Sequence, residues 1–370
     1  MKRLVGLLRE RKQTLGEIAT KEMGKPITQA TAEVEKCALV CEYYAEQAEQ
    51  MLVKETLTSD ASESYVRFDP MGIVLAIMPW NFPYWQVFRF AAPAVMAGIV
   101  GILKHASNVP QCAQALEDIF RDAGFPEGAF QNLFISSSKV EGIIMDDRVK
   151  AVTLTGSEQA GIKVGEAAGR AIKKVVLELG GSDPFIILAD ANIAEAVNVA
   201  TMARLQNNGQ SCIAANRFIV VKEIADQFIQ AFREKFASMI IGDPMDEKTN
   251  IGPMVSVEAM VELDRQVQES VKAGAKIVIG GKKVGEQGSW YAPTILSKVK
   301  PGMPAYDEEL FGPVASVIIA NDAQDAVRIA NDSRFGLGAS LWTEDISLAK
   351  SLAKKIDAGG VFINGMVKSD

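Results

Sequence analysis

Histidine is nearly absent from this chain: among 370 residues, only His105 carries an imidazole. That shortage removes much of enzyme chemistry. A multi-histidine metal centre cannot be assembled, and a Ser-His-Asp or Cys-His machine would depend on that one residue. Cysteine is scarce as well. Cys37, Cys41, Cys112 and Cys212 are the whole complement and none forms a C-x-x-C pair, so a disulfide scaffold is excluded and reduced thiols are expected. Basic charge is not in excess, since 39 Lys and Arg stand against 46 Asp and Glu, a formal net charge of -7. An acidic surface repels phosphate backbones and disfavours a nucleic-acid partner. Long apolar runs are missing too. The longest, Phe90 to Leu103, is interrupted by Pro93, Gly98 and Gly101 and is too short for a bilayer. No basic, apolar leader opens the chain, so the expectation is a cytoplasmic protein without a membrane partner.

What is present fits a globular protein: 48% hydrophobic and 23% charged residues, over a length suited to two domains. Helical spacing of Leu4, Leu7, Leu8, Leu15, Ile18 and Ala19 predicts one helix that ends at Gly24, with Pro26 beyond. The pattern is running from the first turn, so the start reads as cut. A second helix carries Val34, Cys37, Cys41, Tyr44, Ala48 and Met51 on one face, which makes Cys37 and Cys41 core residues rather than ligands. The polar stretch Thr56 to Asp69 reads as a hairpin or arm. Alternating strands and helices follow. Strands are predicted at Ile73–Met78, Ile99–Leu103, Gln131–Ile135, Ala151–Leu154 and Lys174–Glu178, with helices at Trp85–Met96, Pro110–Asp122 and Glu158–Ala168. A second series begins after Gly180-Gly181. Its strands are Phe185–Leu188, Phe218–Val221, Ile277–Ile279, Val314–Ile319 and Ala339–Trp342. Its helices are Ile193–Leu205, Ile224–Phe236, Val255–Ala273, Ala323–Ala330 and Ile346–Ile356. Repeated βα units imply parallel sheets covered on both faces. The expected division is 1–180, with an arm at about 53–70, then 181–360, then a short segment 361–370.

Three places could carry chemistry. Thr155-Gly156-Ser157 follows a strand and opens a helix, where backbone N–H groups and the helix N-terminus suit an anion. Its G-x-x-x-x-G spacing is not the dinucleotide fingerprint, and a tight turn is the plainer account. Asn207-Asn208-Gly209-Gln210-Ser211-Cys212 sets a cysteine in a polar loop instead of an apolar run, as a thiolate nucleophile would be. Leu177-Glu178-Leu179-Gly180-Gly181 ends an apolar strand with a carboxylate, either a general base or a structural cap.

Together with Met78-Pro79-Trp80-Asn81-Phe82-Pro83, Leu103-Lys104, Glu308-Glu309-Leu310-Phe311-Gly312-Pro313 and Asn331-Asp332-Ser333-Arg334-Phe335-Gly336-Leu337, these segments resemble the aldehyde dehydrogenase superfamily over essentially the whole chain. The resemblance implies an α/β fold of two doubly wound domains, a dinucleotide-binding one and a catalytic one, with the hairpin arm serving oligomerisation as a homodimer or homotetramer. It implies NAD(P)-dependent oxidation of a small aldehyde. In those roles Cys212 is the nucleophile, Asn81 the oxyanion donor and Glu178 the base for thioester hydrolysis. Pro79, Trp80, Lys104, Ser107, Gly156, Ser157, Leu179, Glu309 and Phe311 fall on cofactor positions, and no metal is implied. Ser107 stands where NAD-preferring members often carry Glu, which points to NADP over NAD. Arg89 falls where succinate-semialdehyde dehydrogenases hold the substrate's distal carboxylate, while Gln206 replaces the second arginine of that group and Ala214 excludes a local redox disulfide. His105, beside Lys104, reads as a packed surface histidine. Superfamily members begin earlier and continue past Asp370, so truncation at both ends is expected. The alternatives are an aldehyde dehydrogenase of other substrate preference, a truncated inactive relative, and a cysteine acyltransferase or thioesterase, which would have no use for Lys104, Gly156 and Glu309.

Overall fold

The computed structural model of the protein describes residues 1–369. The chain divides into two compact units: Met1–Met23 with Ile27–Leu179, and Gly24–Pro26 with the residues from Gly180 onward. In the first unit α1 (Lys2–Glu10), α2 (Lys12–Met23) and α3 (Ile27–Met51) precede a small antiparallel hairpin, β1 (Glu55–Thr56) and β2 (Tyr65–Val66). The one helix expected at the start is therefore two. Arg11, at φ -95 and ψ 10, leaves the helical region while its N–H still reaches Leu7 O. Leu4, Leu8, Leu15 and Ala19 are all buried across the break, so apolar spacing continues through it and gives no sign of it.

After the hairpin come β3 (Ile73–Met78), α4 (Trp85–Met96), β4 (Val100–His105), α5 (Pro110–Asp122), β5 (Phe130–Asn132), α6 (Val140–Met145), β6 (Val149–Thr155), α7 (Glu158–Arg170) and β7 (Lys174–Glu178). The five strands β3 to β7 form a parallel sheet in the order β5-β4-β3-β6-β7. One face packs Leu75, Val152 and Leu154 against Ile144 of α6 and Val164, Ala167 and Ala168 of α7. Aromatic rings fill another part of this core, with Phe120 stacked on Phe88 and Phe130 at centroid distances of 5.6 and 4.4 Å. The short α6 was not legible from periodicity, and β5 begins and ends earlier than its expected span.

The second unit holds β8 (Asp183–Ile187), α8 (Ile193–Leu205), β9 (Ala215–Val221), α9 (Ala225–Ala237), α10 (Val257–Lys272), β10 (Lys276–Ile279), β11 (Thr294–Ser297), α11 (Pro304–Asp307), β12 (Val314–Ala320), α12 (Ala323–Asn331), β13 (Gly338–Trp342), α13 (Ile346–Ala353) and β14 (Gly360–Ile363). Seven strands run β10-β11-β12-β9-β8-β13-β14, and only β10 is antiparallel to its neighbour. Side chains alternate between two cores, as the pleat requires. Phe185, Ile187, Phe218 and Val220 face Phe228 and Phe232 of α9. Ile186, Ile219 and Ile318 face Leu263 and Val267 of α10. Burial on both faces explains the unbroken apolar runs Phe185–Ile187 in β8 and Phe218–Val221 in β9.

Asp183 opens β8 and is 1% exposed. Its Oδ1 accepts the Gly338 N–H at 3.1 Å, and its Oδ2 has no hydrogen-bond partner. Burial pushes its carboxyl up to about 8, against the Gly338 N–H and Arg217, which pull it down. A carboxyl raised on folding stays protonated while the unfolded chain ionises. Stability is full below the unfolded value of about 4 and is lost as pH rises towards 8. The slope is at most roughly 1.4 kcal/mol per pH unit. Asp183→Asn keeps the acceptor and removes the proton. In urea melts at about pH 5 and about pH 8, on either side of most of that window, the variant is expected to gain stability relative to the parent at the higher pH; a pH-independent difference would show Asp183 ionised in the fold.

Candidate active site

In the first unit the expected residues collect at the carboxyl ends of the parallel strands. The register places Met78 beside His105 and Thr155 beside Glu178. Pro79, Trp80 and Asn81 follow β3 directly. Asn81 is 4% exposed, and its Oδ1 accepts the Phe82 N–H at 3.1 Å, which fixes which end of the amide is the donor end. Two residues lock this loop, and sequence reasoning missed both. Glu33, from α3, takes the backbone N–H groups of Tyr84 and Trp85 on one oxygen at 2.9 Å each and so caps α4. His105 is the second. It is buried, not at the surface, because it shares the inward face of β4 with Gly101 and Leu103. Its Nδ1 accepts the Ala106 N–H at 2.8 Å, so Nε2–H donates to Pro83 O at 2.9 Å. Burial holds its pKa down to about 4, so this contact keeps one tautomer near neutral pH.

Lys104 is half-buried on β4, and burial lowers its ammonium pKa; Ser107 is exposed just beyond. Gly156 joins β6 to α7 and donates its N–H to Glu178 O at 3.0 Å. Ser157 caps α7, its Oγ accepting from Ala160 N–H at 3.3 Å. The second glycine of the G-x-x-x-x-G spacing serves packing instead, since a Cβ on Gly161 would lie 2.5 Å from Leu179 Cδ2. It allows α7 to pack against Leu179. Arg89, on α4, is neither isolated nor solvent-facing. Its guanidinium lies 3.3 Å from a Glu178 carboxylate oxygen, with the two side chains 29% and 40% exposed.

In the second unit the expected positions precede the strands instead of following them. Gly181 lies before β8, Cys212 before β9 and the Glu309–Phe311 segment before β12. The rule that open α/β sheets bind at carboxyl ends finds the first unit's residues and misses these. Ahead of Cys212, Asn207 (φ 56), Asn208 (φ 57) and Gly209 (φ 75) are three successive left-handed residues. Asn and Gly tolerate that conformation best, so this run was the sequence signal of a forced turn. Asn208 braces it, donating to Gly24 O and Pro253 O at 2.9 Å each and accepting from Gly252 N–H at 2.8 Å. Gln210 accepts the Val255 N–H at 2.9 Å. Cys212 is partly exposed, whereas Cys37, Cys41 and Cys112 are buried. Burial pushes the Cys41 thiol up to about 12 and raises Cys112 as well, so neither can supply a thiolate at neutral pH.

Glu309 lies against the paired glycines. Gly181 N–H donates to Glu309 Oε1 at 3.1 Å, and a Cβ on Gly180 would stand 2.3 Å from Glu309 Oε2. The pair is small because a carboxylate fills the space a side chain would take. Leu310 is buried, while Glu309 and Phe311 on either side of it stay partly exposed. Gln206 is exposed. Arg204, two residues before it, is fully buried and hydrogen-bonded to backbone on both sides of the cysteine loop.

The model of the family described as "Aldehyde dehydrogenase family" matches residues 1–370, the entire chain. The chain belongs to the aldehyde dehydrogenase family. Among curated relatives of this family member is a "Probable succinate-semialdehyde dehydrogenase (NADP+)" of Synechocystis sp., 51% identical over 370 residues, which span 100% of this chain and 82% of the relative. Another is succinate-semialdehyde dehydrogenase (NADP+) 1 of Mycobacterium tuberculosis, 51% identical over 353 residues, 95% of this chain and 77% of that one. The crystal structure of succinic semialdehyde dehydrogenase from Streptococcus pyogenes in complex with NADP+ superposes with a TM-score of 0.97 at 38% identity, covering 100% of this chain and 81% of that chain. The α/β aldehyde dehydrogenase fold expected from sequence is thus the fold observed. No helix of the described residues is long and apolar enough to cross a membrane, and no group of His, Cys, Asp and Glu among them could hold a metal ion.

The glycine–carboxylate contact of this aldehyde dehydrogenase gives a direct test. Gly180→Ala forces Glu309 to move and is expected to cost about 1–3 kcal/mol, the range for overpacking a fitted site. In a Glu309→Ala background the same substitution should cost close to nothing. Urea midpoints of the four proteins check this; equal costs in both backgrounds would show that the glycine serves the backbone alone.

Proposed function

We propose that this aldehyde dehydrogenase oxidises succinate semialdehyde to succinate with NADP+ in preference to NAD+. The observation that carries the reading is the single partly exposed thiol, Cys212, seated on a braced left-handed turn next in the fold to the Glu309 cradle. The succinate-semialdehyde dehydrogenases at 51% identity supply the substrate and the cofactor. The residues fit a dinucleotide. A strand–glycine–helix turn with an exposed, capping Ser157 offers backbone N–H groups to phosphate. Lys104 adds a cation, and Ser107 places no carboxylate where a 2′-phosphate would meet it. Pro79, Trp80 and Leu179 would line the cofactor's path, Glu309 would take ribose hydroxyls, and Phe311 would lie on the nicotinamide side.

The Cys212 thiolate attacks the aldehyde carbon, and the carbonyl electron pair moves to oxygen. The Asn81 amide N–H and the Cys212 backbone N–H meet that charge; one such donor is worth roughly 3–4 kcal/mol of barrier. Bound NADP+ supplies the hydride acceptor. Loss of hydride leaves a thioester on Cys212. Glu178 takes a proton from water, hydroxide adds to the thioester carbon, and the carbon–sulfur bond breaks to release succinate and the thiolate. An acyltransferase without redox chemistry would leave the Glu309 cradle and the capped turn without a role. The four free cysteines support a reducing, cytoplasmic setting. Exposed Leu57, Tyr65, Val66 and Phe68 on the hairpin arm support a homodimer or homotetramer.

Arg89 anchors the distal carboxylate in this reading, and its ion pair with Glu178 gives it two separable effects. Arg89→Ala is expected to lower kcat/KM for succinate semialdehyde by about tenfold or more relative to an uncharged aldehyde of similar length, since hydrogen bonds to charged groups are worth roughly 1.5–3 kcal/mol. Any loss shared by both aldehydes reports on Glu178. Steady-state kinetics of both substrates with NADP+ test the whole reading. No reduced cofactor from the parent protein would sink it, and an unmoved ratio in the variant would remove Arg89 from the substrate site.

A further inference from the structure

Two arginines of the second unit are buried almost completely, Arg204 at 0% and Arg217 at 1% exposure. Both donate to carbonyl oxygens through their terminal nitrogens, but on different parts of the fold. Arg217 donates to Ser182 O at 3.0 Å and to Ile329 O and Ala330 O at 2.9 Å each. Those acceptors are the residue just before β8 and two residues of α12. Arg204 sits at the end of α8 and forks. One terminal nitrogen donates to Ala215 O at 3.1 Å and Asn216 Oδ1 at 2.6 Å, on β9. The other donates to Gly209 O at 2.5 Å and to Leu310 O at 3.1 Å. Gly209 is three residues before Cys212, and Leu310 lies between Glu309 and Phe311. The two segments already touch as bare backbone, since a Cβ on Gly209 would meet Gly312 O at 2.2 Å.

We infer that Arg204 is a positioning residue that couples the nucleophile loop to the cofactor-contacting segment, so that seating the cofactor on Glu309 and Phe311 sets the Cys212 thiol. The inference rests on the roles proposed above for Cys212, Glu309 and Phe311. The physical basis is the planar fork. One nitrogen holds carbonyls from both segments at once, and the rigid guanidinium transmits a shift of Leu310 to Gly209. Neither Gly209 nor Leu310 belongs to a strand, so no sheet ladder joins them in its place. A lysine keeps the charge but offers a single point in place of a plane.

The test compares Arg204→Lys with Arg217→Lys in the full chain. Thermal melting, the Kd for NADP+ by fluorescence titration, and the rate of Cys212 alkylation by iodoacetamide with and without saturating NADP+ are measured. Both variants are expected to melt at lower temperature. Only Arg204→Lys is expected to weaken NADP+ at least fivefold and to bring the ratio of the two alkylation rates towards one. Asn216→Ala, which removes one anchor and leaves the arginine in place, is expected to move both readings the same way by at least twofold, and it serves if Arg204→Lys does not fold. A lower melting temperature with unchanged Kd and unchanged ratio overturns the inference, as do equal effects in Arg217→Lys. Failure of the parent protein to bind NADP+ overturns the functional reading itself, a different result from a variant that binds as the parent does.

Discussion

The cysteine loop depends on one buried guanidinium. Residues 207–209 adopt left-handed backbone, so their carbonyls cannot join the β9 ladder, and groups left unpaired inside a protein are expensive. Arg204 takes the Gly209 carbonyl, and Asn208 and Gln210 bind the backbone of neighbouring segments. Burial lowers the Arg204 pKa, while the charges of Glu309 and Asp183 oppose that. A charged group is retained in the core because a planar multiple donor has no apolar substitute there. Around this contact lie the partly exposed Cys212, the close approach of Gly209 to Gly312, and Glu309 against Gly180 and Gly181.

The first unit solves a different problem, holding a loop at the end of a parallel strand. Glu33 and His105 do so from opposite directions, one by capping α4 and one by binding Pro83 O. The single histidine of the chain therefore works as a neutral hydrogen-bonding strut, and burial lowers its pKa enough to keep it so. A mechanism based on a cysteine, an amide and a carboxylate has no need of it as a base, which agrees with a composition so poor in histidine.

Much of this was legible in sequence, for identifiable reasons. Central strands β8 and β9 announced themselves by the apolar runs Phe185–Ile187 and Phe218–Val221, which burial on both faces demands. Ser157 before Glu158 marked the start of α7 by its capping chemistry. The break at Arg11 was hidden, since the apolar spacing runs on and the ion pair of Arg11 with Asp122 at 2.6 Å is a tertiary fact. α6 and β11 are too short for a period to show. Among site residues, Cys212 stood out by its polar setting, and Asn207-Asn208-Gly209 carried a left-handed signal that could have been read directly. The pairing of Arg89 with Glu178 joins residues far apart in the chain, and no local pattern encodes it. The contact of Arg204 with Leu310 is hidden for the same reason: a helix face says which way a side chain points, not what awaits it.

The central claim is that aldehyde carbon becomes covalently bound to Cys212 as an acyl group, and that Glu178 is needed to remove it. Glu178→Gln incubated with succinate semialdehyde and NADP+, quenched in acid and digested for mass spectrometry, tests this most directly. The account predicts one succinyl group on the peptide carrying Cys212, with reduced cofactor formed in equal amount and little turnover afterwards. An unmodified Cys212 peptide alongside sustained turnover, or an acyl group on another residue, would contradict it.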